Sequence, residues 1–361
     1  MMKKWIALAL TLCLLVGTLA GCGSSSIISY DGEGLDATTL RYQIYNTKLG
    51  LETQNAIADE AAAAAYWDEG NTSDLVEGKT PFEYATEALL KELKEELLIV
   101  HMAKERNLSA SDEQIAAMRE MLIAQTFGSE DAYKSTASIF GFTDENMDWI
   151  AKLNVSYMNI VNELYPREQL AAYAEENGWV RVKHVLIQKS DTVTMDDAKK
   201  KALDVCERAA NGEDFDKMVA ELSEDPGSQS NPDGYLVATG SGMVESFEKA
   251  SLALAEGEVS EPVESDYGYH VIKRYPIGTV SDADLSMGTS LTTHYQEETS
   301  KLFRTALDEE MAAKGDSIEI DLEAFYALFK ELIVPQSYYD AIALAQQQMQ
   351  EQLESQMQPA E

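Results

Sequence analysis

The chain has 361 residues, 45% of them apolar and 25% charged, with 63 acidic side chains against 28 basic ones and a formal net charge of −35. Such a charge argues against nucleic acid or an anionic lipid surface as a partner, since both repel a polyanion; the excess of carboxylates serves solubility in a cation-rich surface layer, or lines a groove that selects basic clients. Three cysteines in this length exclude a disulfide-stapled scaffold, and the apolar content is enough for buried cores in about two or three units.

The first 21 residues read as an export signal, in which Lys3 and Lys4 precede an apolar run, Trp5 to Val16, that is short for a permanent membrane span. Leu19-Ala20-Gly21-Cys22 matches the lipobox of bacterial lipoproteins, so cleavage is expected before Cys22 and lipid attachment on its thiol. Residues 22–35, opening with Gly23-Ser24-Ser25-Ser26, are expected to be a flexible tether. Two acyl chains, at about 0.8 kcal/mol per buried methylene, hold a protein stably on a bilayer where one is marginal. The mature chain then carries 26 basic and 63 acidic residues, a formal charge of −37, because Lys3 and Lys4 leave with the signal. Cys13 leaves too, and Cys206 remains as the one free thiol, so no intramolecular disulfide is expected. The expected location is the extracytoplasmic face of the cell membrane, held by the lipid on Cys22.

Residues 36–177 are helical in pattern. Thr80-Pro81-Phe82-Glu83 is a capping box with proline at the first helical position, and Leu89, Leu93, Leu97 and Val100 follow on one face. Ser111 to Gln114 repeats the device ahead of an amphipathic run through Leu122, and Thr143 caps a helix reaching Tyr165. Pro166 precedes a helix from Arg167 to Glu176, which Asn177-Gly178 stops. Beyond Trp179 the period changes, and Val180, Val182, His184 and the Val185-Leu186-Ile187 run predict a strand. Helices are predicted over Thr194 to Ala210, Asp214 to Leu222 and Met243 to Ala255, with a Pro/Gly/Ser/Asn-rich loop before the last, and a strand over Tyr269 to Tyr275. Helical patterning returns in residues 278–361, with Leu302, Phe303, Ala306, Leu307 and Met311 on one face, and the chain closes in a glutamine-rich tract, Gln346 to Gln358, read as a frayed helix or disordered. A strand-containing unit, residues 178–277, is thus expected as an insert between two helical flanks that together form one lobe.

Five blocks of this insert resemble, in order, the parvulin (PpiC-type) family of peptidyl-prolyl cis/trans isomerases: Val182-Lys183-His184-Val185-Leu186; Gly212-Glu213-Asp214-Phe215; Leu222-Ser223-Glu224-Asp225; Phe247-Glu248-Lys249-Ala250 with Gly257-Glu258-Val259-Ser260-Glu261-Pro262-Val263; and Gly268-Tyr269-His270-Val271-Ile272-Lys273. The helical flanks and the lipobox resemble, through order and pattern more than identities, the PrsA-type foldases of Gram-positive bacteria and more loosely the SurA-type chaperones. The resemblance implies an α+β fold: a parvulin domain, a four-stranded antiparallel sheet with surrounding helices, inserted in an all-α chaperone lobe. Its middle strands are faint in the sequence, near Tyr235 to Ala238 and Pro262 to Val263.

Rotation about an X-Pro bond meets a barrier of about 18–20 kcal/mol because the amide must lose resonance. A catalyst therefore needs an apolar seat for the proline ring, polar groups beside the twisting amide and little competing water, but no covalent step and no cofactor or metal. The resemblance carries those roles to His184 and His270, one on each long strand, with Asp225 and Ser265 completing a hydrogen-bond network. It carries the proline pocket to Met243 and Phe247, spaced i, i+4 on one helix face, with either Tyr235 or Leu236 as the remaining wall. Lys189 alone follows the first strand, so no preference for phosphoserine before proline is expected. The resemblance implies an isomerase and chaperone for newly exported, unfolded proteins with X-Pro bonds. The other reading is a binding-only holdase whose parvulin domain does not turn over.

Overall fold

The computed structural model describes residues 26–190 and 192–357; Cys22 and the lipobox lie outside the described residues. Among these residues seven strands form two antiparallel sheets: β1 (Ile28–Tyr30), β2 (Glu33–Leu35), β3 (Val180–Gln188), β4 (Tyr235–Val237), β5 (Val263–Ser265), β6 (Gly268–Tyr275) and β7 (Glu319–Ile320). The strand orders are β2-β1-β7 and β4-β3-β6-β5. The described residues divide into two compact units, one holding residues 26–101, 112–152 and 314–357, the other residues 102–111 and 153–313.

The first unit is mostly helical. In its helix Pro81–Glu105 the capping box closes reciprocally, Glu83 N–H donating to Thr80 Oγ1 at 3.2 Å and Thr80 N–H to Glu83 Oε2 at 3.0 Å. Leu89, Leu93, Leu97 and Val100 are all buried. The small sheet is a correction to the tether expected over residues 22–35: Ile28 pairs with Leu35 through a two-residue turn and with Ile320 on its other side. Asp31 and Gly32 both have positive φ, the turn geometry that joins tight hairpins, and Ile28 and Leu35 are fully buried. Apolar burial therefore pins a stretch that reads as linker. The glutamine-rich tract is the end of a helix, Gln336–Met357.

Lys48, Glu52 and Glu96 sit deep in this unit. Lys48 donates to Leu332 O at 2.6 Å over the Phe329 ring, while Glu52, one turn on, accepts from Trp67 Nε1 and Tyr339 OH at 2.6 Å each. Burial, opposed by Glu52, draws Lys48 down to about 8. Glu96 is 5% exposed and accepts from Trp149 Nε1 at 2.7 Å and Gln43 Nε2 at 3.4 Å. Burial, reinforced by Glu92 and opposed by those two donors, pushes Glu96 up to about 7. A carboxyl raised in the fold contributes stability that is fully present below its unfolded value of 4.5 and is lost as pH rises through about 7. Glu96→Gln keeps an acceptor for Trp149 without the charge. It should melt close to wild type at pH 4.5 and be more stable at pH 8, by an amount on the order of 3 kcal/mol. Thermal melts of both proteins at the two pH values test this; an equal gap at both would show that folding does not raise the Glu96 carboxyl above its unfolded value.

In the second unit β3 and β6 form the long central pair, with His184 opposite Ile272 and Leu186 opposite His270. Helices Met195–Ala210 and Phe215–Leu222 cover one face over Val185, Ile187, Tyr269 and Val271. Cys206 lies against this core, and burial pushes its thiol up to about 11. On the other face Val180, Val182, Val237 and Ile272 pack under Phe247 of the helix Glu245–Ala253 and under Leu254. The unit is wider than the residues 178–277 expected for the insert. Trp179 and Leu236 share a core with Tyr165, Leu170 and Leu291. Arg181 of β3, 4% exposed, donates to Ile277 O at 2.5 Å, to Thr279 O at 3.0 Å and through both terminal nitrogens to Asp284, at 3.2 and 3.0 Å.

Candidate active site

Strand register decides which side chains meet. Tyr235 lies opposite Val182, Val237 opposite Val180, and Val263 opposite His270, so these residues share one face of the sheet with His184 and Ile272. His184 and His270 are diagonal neighbours, their ring centroids 5.1 Å apart and their planes inclined by 62°. Phe247 meets both rings edge to face, at 4.9 Å from His184 and 5.2 Å from His270.

The polar network surrounds this aromatic trio. His270 Nε2 hydrogen-bonds Ser265 Oγ at 2.8 Å, and Ser265 Oγ also accepts the Tyr267 N–H at 3.2 Å. Gly268, at φ +146°, lets this hairpin close on β3, since a Cβ there would fall 2.1 Å from Ile187 O. Asp225 Oδ2 lies 3.7 Å from His184 Nε2 and accepts from Tyr235 OH at 2.6 Å and Ser228 Oγ at 3.1 Å, while Oδ1 accepts from Gly227 N–H at 3.2 Å. The Nδ1 atoms of both histidines are buried without a hydrogen-bond partner, so the two imidazoles touch edge to face and are not joined by a hydrogen bond as a dyad would be. Each instead answers to its own partner, Asp225 or Ser265.

Burial draws His184 below the ordinary imidazole range against the pull of Asp225. Burial, and next the neighbouring His184, take His270 down to about 4. Both rings are therefore neutral near pH 7. Burial works to raise Asp225, but the Tyr235 hydroxyl, His184, the Gly227 N–H and Ser228 together outweigh it and hold the carboxyl below its usual value. Tyr235 is pushed up, by burial first and then by its bond to Asp225.

Two expected pocket residues are placed differently. Leu236 points away from the site, into the core with Trp179 and Leu170, because alternation along β4 sends only Tyr235 and Val237 to the histidine face. Met243 lies before the helix, which begins at Glu245 with Val244 at its cap, because Gly240 and Gly242 at positive φ turn the chain immediately ahead of it. Met243 nonetheless packs on the cluster of Val182, Val237 and Phe247, so it joins the pocket from the turn and not through helical spacing. Val182, Val237 and Ile272 are pocket residues that the sequence reading omitted; their even spacing with His184 and His270 along each strand was the available signal. The arrangement offers an apolar wall of Phe247, Met243, Val182 and Val237 beside two neutral imidazoles and a fixed carboxylate.

The family model for the PPIC-type PPIase domain matches residues 168–275. The Foldase protein PrsA of Caldanaerobacter subterraneus is 24% identical over 319 residues, which cover 85% of this chain and 94% of that protein. That of Geobacillus kaustophilus is 44% identical over 95 residues, covering 26% of this chain and 30% of that one. The crystal structure of PrsA from Bacillus subtilis aligns at a TM-score of 0.32 and 20% identity, covering 73% of this chain and 90% of that one. Residues 168–275 are thus a PPIC-type peptidyl-prolyl cis/trans isomerase domain, carried by a chain that is similar over most of its length to a PrsA foldase.

Proposed function

We propose that this chain accelerates X-Pro isomerisation in newly exported proteins at the extracytoplasmic face of the cell membrane, anchored by lipid on Cys22. In this reading the unit that bears the four-stranded sheet carries the catalytic module, residues 178–277, and the mostly helical unit holds unfolded clients. The observation that carries it is Phe247 seated edge to face on both histidines beside an apolar wall. A proline ring lodged against Phe247 and Met243 brings its amide over His184 and His270. Because both rings are neutral, they present hydrogen-bonding groups to the twisting bond without adding a charge that the half-rotated amide would have to accommodate. Asp225 and Ser265 fix their orientation from either side.

Among the described residues no helix is long and apolar enough to cross a membrane. With the lipid on Cys22, Cys22→Ser should move the protein from the membrane fraction to the medium and abolish palmitate labelling. Labelling that persists in the variant would place the lipid elsewhere. The isomerase is tested by exchange NMR on a proline peptide. Catalytic amounts of the chain should shorten the interconversion time well below the uncatalysed tens to hundreds of seconds, whereas an unchanged rate with aggregation still suppressed would support the holdase reading instead.

A further inference from the structure

Tyr235 was expected only as a wall of the proline pocket, yet its contacts are directed at the polar network. Its hydroxyl donates at 2.6 Å to Asp225 Oδ2, the oxygen that faces His184 Nε2 at 3.7 Å. Its ring lies against the His184 ring, centroids 5.7 Å apart and planes inclined by 27°. A single side chain therefore touches both members of the Asp225–His184 pair.

A second, independent observation concerns Gly227. Its φ does not lie in the left-handed region, so no backbone conformation there demands glycine. The space does: a Cβ at this position would fall 2.2 Å from the Tyr235 hydroxyl oxygen. Gly227 also donates its N–H to Asp225 Oδ1 at 3.2 Å, and its carbonyl accepts from Asn231 Nδ2 at 3.0 Å. The loop is thus held where the hydroxyl can pass over a residue with no side chain and reach the carboxylate.

We propose that Tyr235 is a positioning residue of the isomerase site, its hydroxyl clamping Asp225 in one orientation against His184 through the space left by Gly227. This rests on the isomerase reading above. The groups that face Asp225 are Tyr235 from β4, His184 from β3, His270 across the sheet on β6, and Ser228 and Gly227 from its own loop. Of these, Tyr235 makes the shortest contact. Clamped as a carboxylate, Asp225 stands opposite Nε2 of His184 and favours the tautomer that keeps the proton on that nitrogen. A loosened Asp225 leaves the imidazole free to change tautomer and tilt.

Tyr235→Phe keeps the ring and removes the clamp. Its kcat should fall about tenfold, the loss expected for one hydrogen bond to a charged group, with KM within about twofold of wild type. Because the lost donor favoured the ionised form, the Asp225 carboxyl, followed by carbon-13 NMR, should titrate at higher pH, and the acid limb of the activity profile should move the same way. Gly227→Ala should be as damaging as Tyr235→Phe in the wild-type chain and cost little further in the Tyr235→Phe background, where no hydroxyl oxygen occupies the space. If Tyr235→Phe raises KM while kcat and the Asp225 titration stay put, Tyr235 is a pocket wall and the clamp is wrong. Equal damage from Gly227→Ala in both backgrounds also overturns it. The titration needs no turnover, so an inactive wild type would sink the isomerase reading while leaving the clamp to be decided by the Asp225 shift.

Discussion

Phe247→Ala is expected to cut turnover of a proline peptide at limiting substrate by at least about tenfold. The side chain is 3% exposed and touches both histidines as well as the apolar wall. Full burial of such a side chain is worth about 1.5–3 kcal/mol, and about 1.4 kcal/mol is already a factor of ten in binding. Alanine would also leave a hole that water can enter beside the amide, where exclusion of competing hydrogen bonds matters. His270→Asn offers a contrast, since it keeps a polar group that can still meet Ser265. It should be milder if the ring only orients its neighbours, and as severe as Phe247→Ala if the imidazole itself faces the twisted bond. Each variant must first melt near wild type, because Phe247 also supports the core under its helix. A folded Phe247→Ala that isomerises the peptide at the wild-type rate would remove this pocket from consideration as the active site.

The largest loss of stability is expected from Arg181→Met. Its guanidinium reaches Asp284 bidentately and two main-chain carbonyls beyond β6, all within one unit. Breaking a buried pair by removing one partner typically costs about 3–5 kcal/mol, mainly because the remaining charge stays buried and unpaired. Asp284 keeps its capping bonds from the Ser281 N–H and hydroxyl, which will soften the effect. Adding Asp284→Asn removes the stranded charge, so the double variant should recover part of the loss in urea denaturation. Were the single variant to lose less than about 1 kcal/mol, the pair would be no more than a surface-like contact.

The legible parts of this molecule were those written in local chemistry. The reciprocal box of Thr80 and Glu83 marks a helix start wherever it occurs, and β3 announces itself by a run of apolar and β-branched residues. His184, His270 and Phe247 came from the family pattern, and the sheet brings all three together. The short strand β4 was harder, because three residues show no usable period. Only its pairing with β3 decides that Tyr235 and Val237 face the site while Leu236 turns away. The helix at Phe247 was drawn two residues too early, since the hydrophobic spacing of Met243 looks helical even though two glycines bend the chain before it. The hairpin at Ile28 to Leu35 carried an Asp-Gly signal, but strands of three residues beside a presumed tether offer little else to read.

The pairing of Ile28 with Ile320 has a consequence for the order of events during synthesis. A strand near the start of the described chain waits for one near its end, and such distant contacts are slow because the loop between them must close first. The β3 to β6 sheet, by contrast, is complete once residue 275 has emerged. That sheet can therefore be folded while the other unit is still missing a strand, and for that interval the isomerase domain stands complete in a chain that is itself unfinished.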